Sequence, residues 1–158
     1  MKLRFLGGID EVGASCLLLE LETASSDLPL RLLVDGGIRL RAREGDYLPL
    51  LEQIGPAGGL DAVIVTHSHI DHAGGAKLWA KKYPDAKIVA HEAFPAMQQT
   101  LVELAPYFSR RGAMAMPALV ASTSGSARSD PLLAQGGIEP DILVDDDEPL
   151  SLSFGDFA

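Results

Sequence analysis

The chain has 158 residues, of which 47% are hydrophobic and 22% charged, a composition that excludes a disordered or fibrous protein and is typical of one globular domain. The formal net charge of −9 argues against a basic surface that grips polyanions, although bound divalent cations can reverse the local field where a phosphate must sit. Cys16 is the only cysteine, so any metal must take nitrogen and oxygen ligands. Because no apolar run is long enough to span a bilayer and MKLRFLGG lacks a secretion signal, we expect a cytoplasmic protein without membrane contact.

The first predicted elements are strands. Residues 2–6 and 15–22 are joined by GGIDEVG, whose glycines permit a turn, and we expect the two strands to pair as neighbours. A third apolar strand, LPLRLLVD, stops at Asp35 before a pair of glycines.

Helices are predicted to alternate with strands further along the chain. Residues 46–54 can form a short amphipathic helix opened by Asp46, and the β-branched run DAVIVT is typical of a buried strand. A helix from near Gly74, a strand at KIVA and a second helix from around Glu92 follow. This order favours a βαβ unit and the α/β fold class.

The last third gives weaker signals. Residues 105–137 are rich in Ala, Ser, Gly and Met and predict helix fragments and loop, whereas DILVDDDEPLSLSFGDFA predicts two short strands around an acidic turn. We interpret the arginines between positions 31 and 43, and the acidic run near the C-terminus, as solvated faces. Without a repeat or a boundary signal, residues 1–158 are treated as a single domain.

The stretch THSHIDHAGG, directly after DAVIVT, contains three of the four histidines. Neutral imidazole is a good ligand for zinc and similar ions, and the carboxylate of Asp71 adds an oxygen ligand. In an extended or loop backbone His67, His69 and Asp71 share one face while His72 points elsewhere. One pocket can therefore supply ligands to two metal ions. The alternative is that these histidines lie on the surface of a turn with their hydrogen bonds satisfied and bind no metal. Against it, the probability that composition alone produces this pattern somewhere in the chain is on the order of 10⁻⁴.

These residues match the His-x-His-x-Asp-His signature, and the chain resembles the metallo-β-lactamase superfamily in this signature, in the strand before it and in the Gly-Gly and helix after it. The resemblance implies an αββα sandwich, of which this chain is the N-terminal half, and two metal ions. Zinc is the expected ion, with Mn²⁺ or Fe²⁺ as alternatives. His67 and His69 would help hold the first ion, and Asp71 and His72 the second. Asp71 would also be catalytic by orienting the nucleophilic hydroxide.

Upstream, GGIDEVGASCLLLE followed by LLVDGGI resembles the opening of the β-CASP branch, the nucleases of the RNase J and pre-mRNA 3′-end-processing type. This resemblance covers about the first hundred residues and implies an RNA substrate. It also implies that Asp35 orients a ligand histidine without binding the metal itself. A turn-forming aspartate with no further role is the alternative.

Three other residues that often carry chemistry are expected to be structural. His91 lies where a strand meets a helix, Trp79 lies on the helix after residues 66–75, which we call the metal loop, and Cys16 lies within an apolar strand. We expect His91 not to bind metal, Trp79 to belong to the core, and Cys16 to be an unreactive buried residue.

The superfamily pattern also needs a third histidine, a bridging aspartate and a last histidine, yet no histidine follows His91. We therefore expect residues 1–158 to form an incomplete domain. An alternative alignment takes Gly155, Asp156 and Phe157 as the bridging-aspartate motif. Because half a sandwich leaves an apolar sheet face uncovered, we expect the isolated chain to be marginally stable, to form homo-oligomers or to depend on a missing C-terminal segment.

The resulting hypothesis is a metal-dependent hydrolase, specifically a two-metal phosphodiesterase or ribonuclease that acts in RNA processing. Two alternatives remain open, because the same metal loop serves several chemistries and substrate choice lies in other segments. One is a hydrolase of a small ester, thioester or lactam. The other is a non-catalytic remnant that keeps the metal loop without turnover.

Overall fold

The computed structural model describes residues 1–22, 27–39, 48–54, 59–75, 79, 81–97 and 139–147. Within these residues, six strands form one sheet in the order β1-β2-β3-β4-β5-β6. Their bounds are Lys2–Gly7, Cys16–Leu21, Leu30–Val34, Ala62–Val65, Lys87–His91 and Ile142–Val144. Two short helical elements are a 3₁₀ turn, Leu51–Ile54, and a single α-helical turn, α1, at Ile70–Ala73.

The sheet is mixed. Strands β1, β2 and β3 are antiparallel neighbours, which confirms the predicted pairing of the first two strands, and β3 to β6 are parallel. Helical residues lie between the parallel neighbours β4 and β5, so the predicted βαβ order and the α/β class are confirmed. Because β3 to β6 run in one direction, their carboxyl ends lie along one edge of the sheet, where ligands commonly bind in such folds.

The two longer predicted helices are described in part. The backbone N–H of Trp79 donates to the carbonyl oxygen of Gly75 at 3.2 Å, which is helical bonding within the helix expected from near Gly74. Residues 94–97 are helical, two positions after the predicted start at Glu92. No helix in the described part of the chain combines the length and apolarity required to cross a bilayer.

One face of the sheet carries the main core. Leu18, Leu33 and Val63 project from neighbouring strands and are fully buried, and they belong to one cluster with Trp79 and Phe94 from the helical segments. The prediction that Trp79 is a core residue is confirmed. Alternate strand residues point to opposite faces, so the same strands also present a second apolar face.

The second face is less completely covered. Leu32, Ala62 and Val89 are buried there, but on the edge strand β1 Leu3 and Phe5 remain 52% and 58% exposed. Exposed apolar surface of this kind favours association with another chain or coverage by a further segment of the same chain. The expected dependence of the chain on such a partner stays a prediction that rests on these exposed side chains.

The amphipathic helix predicted over residues 46–54 is wrong in its described part. Leu48 to Leu50 are not helical, and only Leu51–Ile54 form a 3₁₀ turn. Pro49 lacks a backbone N–H and disfavours the α conformation at the preceding residue. The N–H of Leu50 donates instead to the carbonyl oxygen of Leu6 in β1, at 2.9 Å. Asp46, the expected first residue of this helix, lies outside the described residues.

The interpretation of the arginines as a solvated face is wrong for Arg31. This residue is 5% exposed, and its Nε lies 3.3 Å from Oε1 of Glu20 on the neighbouring strand. Its guanidinium also donates to the carbonyl oxygen of Gly59 at 3.0 Å. A buried guanidinium requires such partners, and here the neighbouring strand and the segment before β4 supply them. Arg41 and Arg43 lie outside the described residues, as do residues 105–137 and Gly155, Asp156 and Phe157.

Cys16 is buried in β2, and its environment suppresses the thiolate. Burial, followed by the negative charge of Asp35, raises the pKa of the thiol to about 12. At pH 8 the thiolate fraction is then about 10⁻⁴, and only the thiolate reacts. We expect a disulfide reagent such as Ellman's reagent to leave Cys16 unmodified in the native chain and to label it rapidly in 6 M guanidinium. Rapid stoichiometric labelling of the native chain would contradict this assignment.

Candidate metal centre

The candidate site lies at the carboxyl ends of β3 and β4. Asp35 follows β3 directly, and Thr66 and His67 follow β4, so the parallel pairing of these strands brings the three residues together. The loop between β1 and β2 reaches the same edge, where the N–H of Ser15 donates to the carbonyl oxygen of Asp71 at 2.9 Å. The metal loop is thus anchored through its own backbone.

A glycine pair allows this close backbone approach. The N–H of Gly36 donates to the carbonyl oxygen of His72 at 2.8 Å, and the N–H of Gly37 donates to that of Ser15 at 3.0 Å. A Cβ added at Gly37 would lie 1.6 Å from the carbonyl oxygen of Asp71, and one at Gly36 would lie 2.3 Å from Nε1 of Trp79. Two glycines are therefore needed where β3 leaves the sheet.

The three histidines of the loop form one cluster. The ring centroids of His67 and His69 are 4.9 Å apart, and those of His67 and His72 are 3.9 Å apart. The prediction that His72 points elsewhere is wrong, because it assumed an extended or loop backbone through Asp71. The helical turn α1 begins at Ile70, and the N–H groups of His72 and Ala73 both donate to His69, so alternation ends before Asp71.

Asp35 is a buried carboxylate, 3% exposed, and it accepts four hydrogen bonds. Its Oδ1 accepts from the Thr66 backbone N–H at 2.9 Å, and its Oδ2 accepts from Ser15 Oγ at 3.2 Å. The hydroxyl of Thr66 lies 2.9 and 3.0 Å from the two oxygens, and Nδ1 of His72 lies 2.7 Å from Oδ2. Asp35 also has a φ of 61°, a left-handed conformation that aspartate tolerates better than most residues. Asp35 thus lies where the expected orienting role requires it.

The environment of His67 favours the neutral imidazole. Desolvation lowers its pKa from the ordinary value, and the neighbouring His72 and His69 lower it further, against the opposing charges of Asp35 and Asp71. A neutral ring keeps the lone pair that a metal needs.

The donors are of the types that bind metal ions, and one pair lies close to the spacing that a metal ion requires. Nε2 of His72 and Oδ2 of Asp71 are 3.7 Å apart. Two ligands bound at about 2.1 Å to one ion lie about 3 to 3.5 Å apart, so a small side-chain movement would suffice. Among the residues that the structure describes, no three histidine, cysteine, aspartate or glutamate side chains converge closely enough to hold an ion. The described part of the site therefore provides suitable donors without completing a coordination sphere.

His91 lies at the end of β5, and both of its ring nitrogens contact protein groups. Nδ1 accepts from the backbone N–H of Ala93 at 3.1 Å, so Nε2 carries the proton and donates to Oδ1 of Asp146, also at 3.1 Å. This arrangement joins the ends of β5 and β6 and agrees with the structural role expected for His91.

Sequence reasoning did not single out Thr66 and Ser15 as members of the site. Both hydroxyls contact Asp35, and each lies at the end of a strand that neighbours β3 in the sheet. The signal available in the sequence was positional, since THSH places a hydroxyl directly before the first histidine and GAS places one directly before Cys16.

Comparison with known proteins shows what this chain is similar to. The family model described as the Metallo-beta-lactamase superfamily matches residues 31–156. A transcription termination factor FttA of Methanosarcina mazei is 44% identical over 71 residues, which cover 44% of this chain and 10% of that protein. The factors of the same name from Methanocaldococcus jannaschii and Cenarchaeum symbiosum are 36% and 37% identical, covering 47% and 51% of this chain and 11% and 12% of theirs. The chain therefore aligns with about a tenth of the length of these relatives.

Proposed function

We propose, from the fact that the chain belongs to the metallo-beta-lactamase superfamily, that its His/Asp loop forms part of the metal centre of a hydrolase that cleaves phosphodiester bonds in RNA. The family match confirms the superfamily resemblance predicted from the signature. The six-stranded sheet of the described residues is consistent with the N-terminal part of that fold.

The observation that carries the proposal is the 2.7 Å contact between Asp35 and Nδ1 of His72. An aspartate that accepts from Nδ1–H leaves Nε2 as the ring nitrogen with a free lone pair, and this is the usual way in which a carboxylate prepares a metal-binding histidine. That free nitrogen is the one that lies 3.7 Å from Asp71.

In this proposal His67 and His69 help hold one ion, and Asp71 and His72 help hold a second. Zinc is the expected ion and Mn²⁺ or Fe²⁺ the alternatives, since the donors are imidazole and carboxylate. Divalent ions bound there would supply the charge that stabilises a phosphodiester during in-line attack. Asp71, with its second carboxylate oxygen, would accept a proton from the attacking water and orient it. Asp35 would hold His72 without contacting the substrate.

RNA is the proposed substrate because of the relatives that the chain matches. The relatives are named as transcription termination factors, and termination ends the synthesis of an RNA chain. The net charge of −9 gives the chain no general attraction for a polyanion, so a phosphate must be drawn to the site by bound cations. We place this activity in the cytoplasm.

A hydrolase of small esters, thioesters or lactams is the second candidate, and the acidic composition favours it. Such substrates carry few negative charges and need no basic groove for binding. The two candidates share the metal loop, so they differ only in the bond that is broken.

Replacing His69 or Asp71 with alanine in the full-length product of the encoding gene is expected to abolish both zinc uptake and RNA cleavage. Each change removes a proposed ligand and leaves its ion undercoordinated. Zinc is measured by native mass spectrometry and cleavage with an end-labelled oligoribonucleotide. His91→Ala is the matched control, because it removes a histidine whose two ring nitrogens contact protein groups, and it should retain both properties.

The outcomes separate the candidates. Full RNA cleavage by either alanine variant would remove the proposed roles of these residues. Hydrolysis of p-nitrophenyl acetate or a chromogenic lactam, without RNA cleavage, would favour the small-molecule hydrolase. Zinc uptake without turnover of any of these substrates would identify a non-catalytic remnant.

A further inference from the structure

The side chain of Thr66 lies between Asp35 and the first histidine of the metal loop. Its Oγ1 is 2.9 Å from Oδ1 and 3.0 Å from Oδ2 of Asp35, and it is 3.0 Å from Nδ1 of His67. A hydroxyl has a single proton, so it can donate to only one of these two neighbours.

The hydrogen bonds that Asp35 accepts determine which neighbour the Thr66 hydroxyl donates to. Asp35 already accepts from Ser15, from His72 and from the backbone of Thr66, so both oxygens face donors and neither has room for a proton of its own. If the Thr66 hydroxyl donated to His67, its oxygen would face two carboxylate oxygens with no proton between them. The hydroxyl therefore donates to Asp35.

The direction of that hydrogen bond fixes the tautomer of the His67 ring. Because the proton of Thr66 is directed at Asp35, its oxygen can only accept from His67, which requires the proton of the imidazole to be on Nδ1. Nε2 of His67 is then left with its lone pair. The ring of His72, whose centroid is 3.9 Å from that of His67, is fixed in the same form by its direct bond to Asp35.

We propose that Thr66 is a positioning residue that connects Asp35 to His67, so that one buried carboxylate sets the tautomer of two histidines, one of them directly and the other through a hydroxyl. This deepens the proposed function and rests on it, because His67 and His72 are there assigned to different ions. The arrangement prepares both ion positions from a single charge. Polarisation along the chain of hydrogen bonds makes both rings better metal ligands.

The hydroxyl of Ser15 provides the internal control. It donates to the same carboxylate at 3.2 Å, and no contact described for it involves a histidine ring. Removal of Ser15 Oγ therefore perturbs Asp35 but leaves the connection from Thr66 to His67 in place. Thr66→Ser retains the hydroxyl, and Thr66→Val replaces it with a methyl group of similar volume.

The test is the tautomer of each histidine in the metal-free 158-residue chain at pH 8, read from the ¹⁵N shifts of the ring nitrogens in long-range ¹H–¹⁵N spectra. We expect the Nδ1–H form of His67 in the wild-type chain, in Thr66→Ser and in Ser15→Ala. Thr66→Val should shift His67 toward the Nε2–H form that free histidine prefers, while His72 remains Nδ1–H. Zinc affinity, measured by competition with a chromophoric chelator, should fall about 10- to 100-fold in Thr66→Val and be restored in Thr66→Ser.

Two results would overturn the proposal. One is a wild-type His67 in the Nε2–H form, which needs no variant and so does not depend on the folding of Thr66→Val. The other is an unchanged His67 tautomer in a folded Thr66→Val chain. Neither reading involves RNA or catalysis, so a failure of the proposed ribonuclease activity leaves this test intact, and a failure here leaves that activity to be judged separately.

Discussion

Replacing Gly37 with alanine is expected to lower the free energy of unfolding by about 3 kcal/mol or more. The added Cβ would lie 1.6 Å from the carbonyl oxygen and 2.1 Å from the carbonyl carbon of Asp71, and 2.7 Å from the backbone nitrogen of His72. All three atoms are backbone, so no side-chain rotation relieves the overlap. The loop after β3 would have to move away from the metal loop, which would break the bond from Gly37 to Ser15.

Urea denaturation followed by circular dichroism measures this loss. Gly59→Ala is the matched control, because it makes the same change at a φ of +65°, where the nearest atom to a new Cβ is 3.7 Å away. Only the left-handed backbone penalty of about 1 to 2 kcal/mol is expected there. Equal losses at the two positions would show that the backbone of the two loops is not in the close contact described.

The second large effect is expected from Asp35→Asn, which should weaken zinc binding about 10- to 100-fold and lower the free energy of unfolding by about 1 to 3 kcal/mol. Asparagine retains the shape and tolerates the φ of 61°. Its amide group, however, is a donor placed among the donors of Ser15, Thr66 and His72. At least one buried polar group loses its partner, and His72 loses the acceptor that fixes its ring.

Chelator competition and urea denaturation measure these two losses. Asp61→Asn is the matched control, because Asp61 precedes β4 at the opposite end of the strand, and its Oδ2 accepts from the backbone N–H of Arg31 at 2.7 Å. A single oxygen can keep that bond, so zinc affinity should be unchanged. Wild-type zinc affinity in Asp35→Asn would refute the orienting role of the carboxylate.

The strands and the superfamily could be predicted because both are encoded locally. Ala62–Val65 is a short apolar run and Leu30–Val34 is apolar apart from Arg31. The two strands end just before Thr66 and Asp35, and a buried parallel strand needs little else. The grouping of three imidazoles with Asp71 within six residues indicates metal chemistry by donor type alone.

The features that could not be predicted depend on contacts between distant segments. The backbone conformation that turns His72 toward His67 is supported by bonds from Ser15 and Gly36 to the metal loop. Likewise, Leu50 bonds to Leu6 rather than to its own helix. Sequence periodicity carries no information on such partners until the order of the strands is known.

The pairing of β5 with β6 joins Val89 to Ile142, so this contact spans more than fifty positions of sequence. The entropic cost of closing a connection grows only with the logarithm of its length, by about 0.6 kcal/mol for each doubling. Insertions or deletions between these strands can therefore accumulate over evolution at little thermodynamic cost. A tolerant junction of this kind lets a family acquire new recognition elements while the sheet edge that carries Asp35 and the three clustered histidines keeps its geometry.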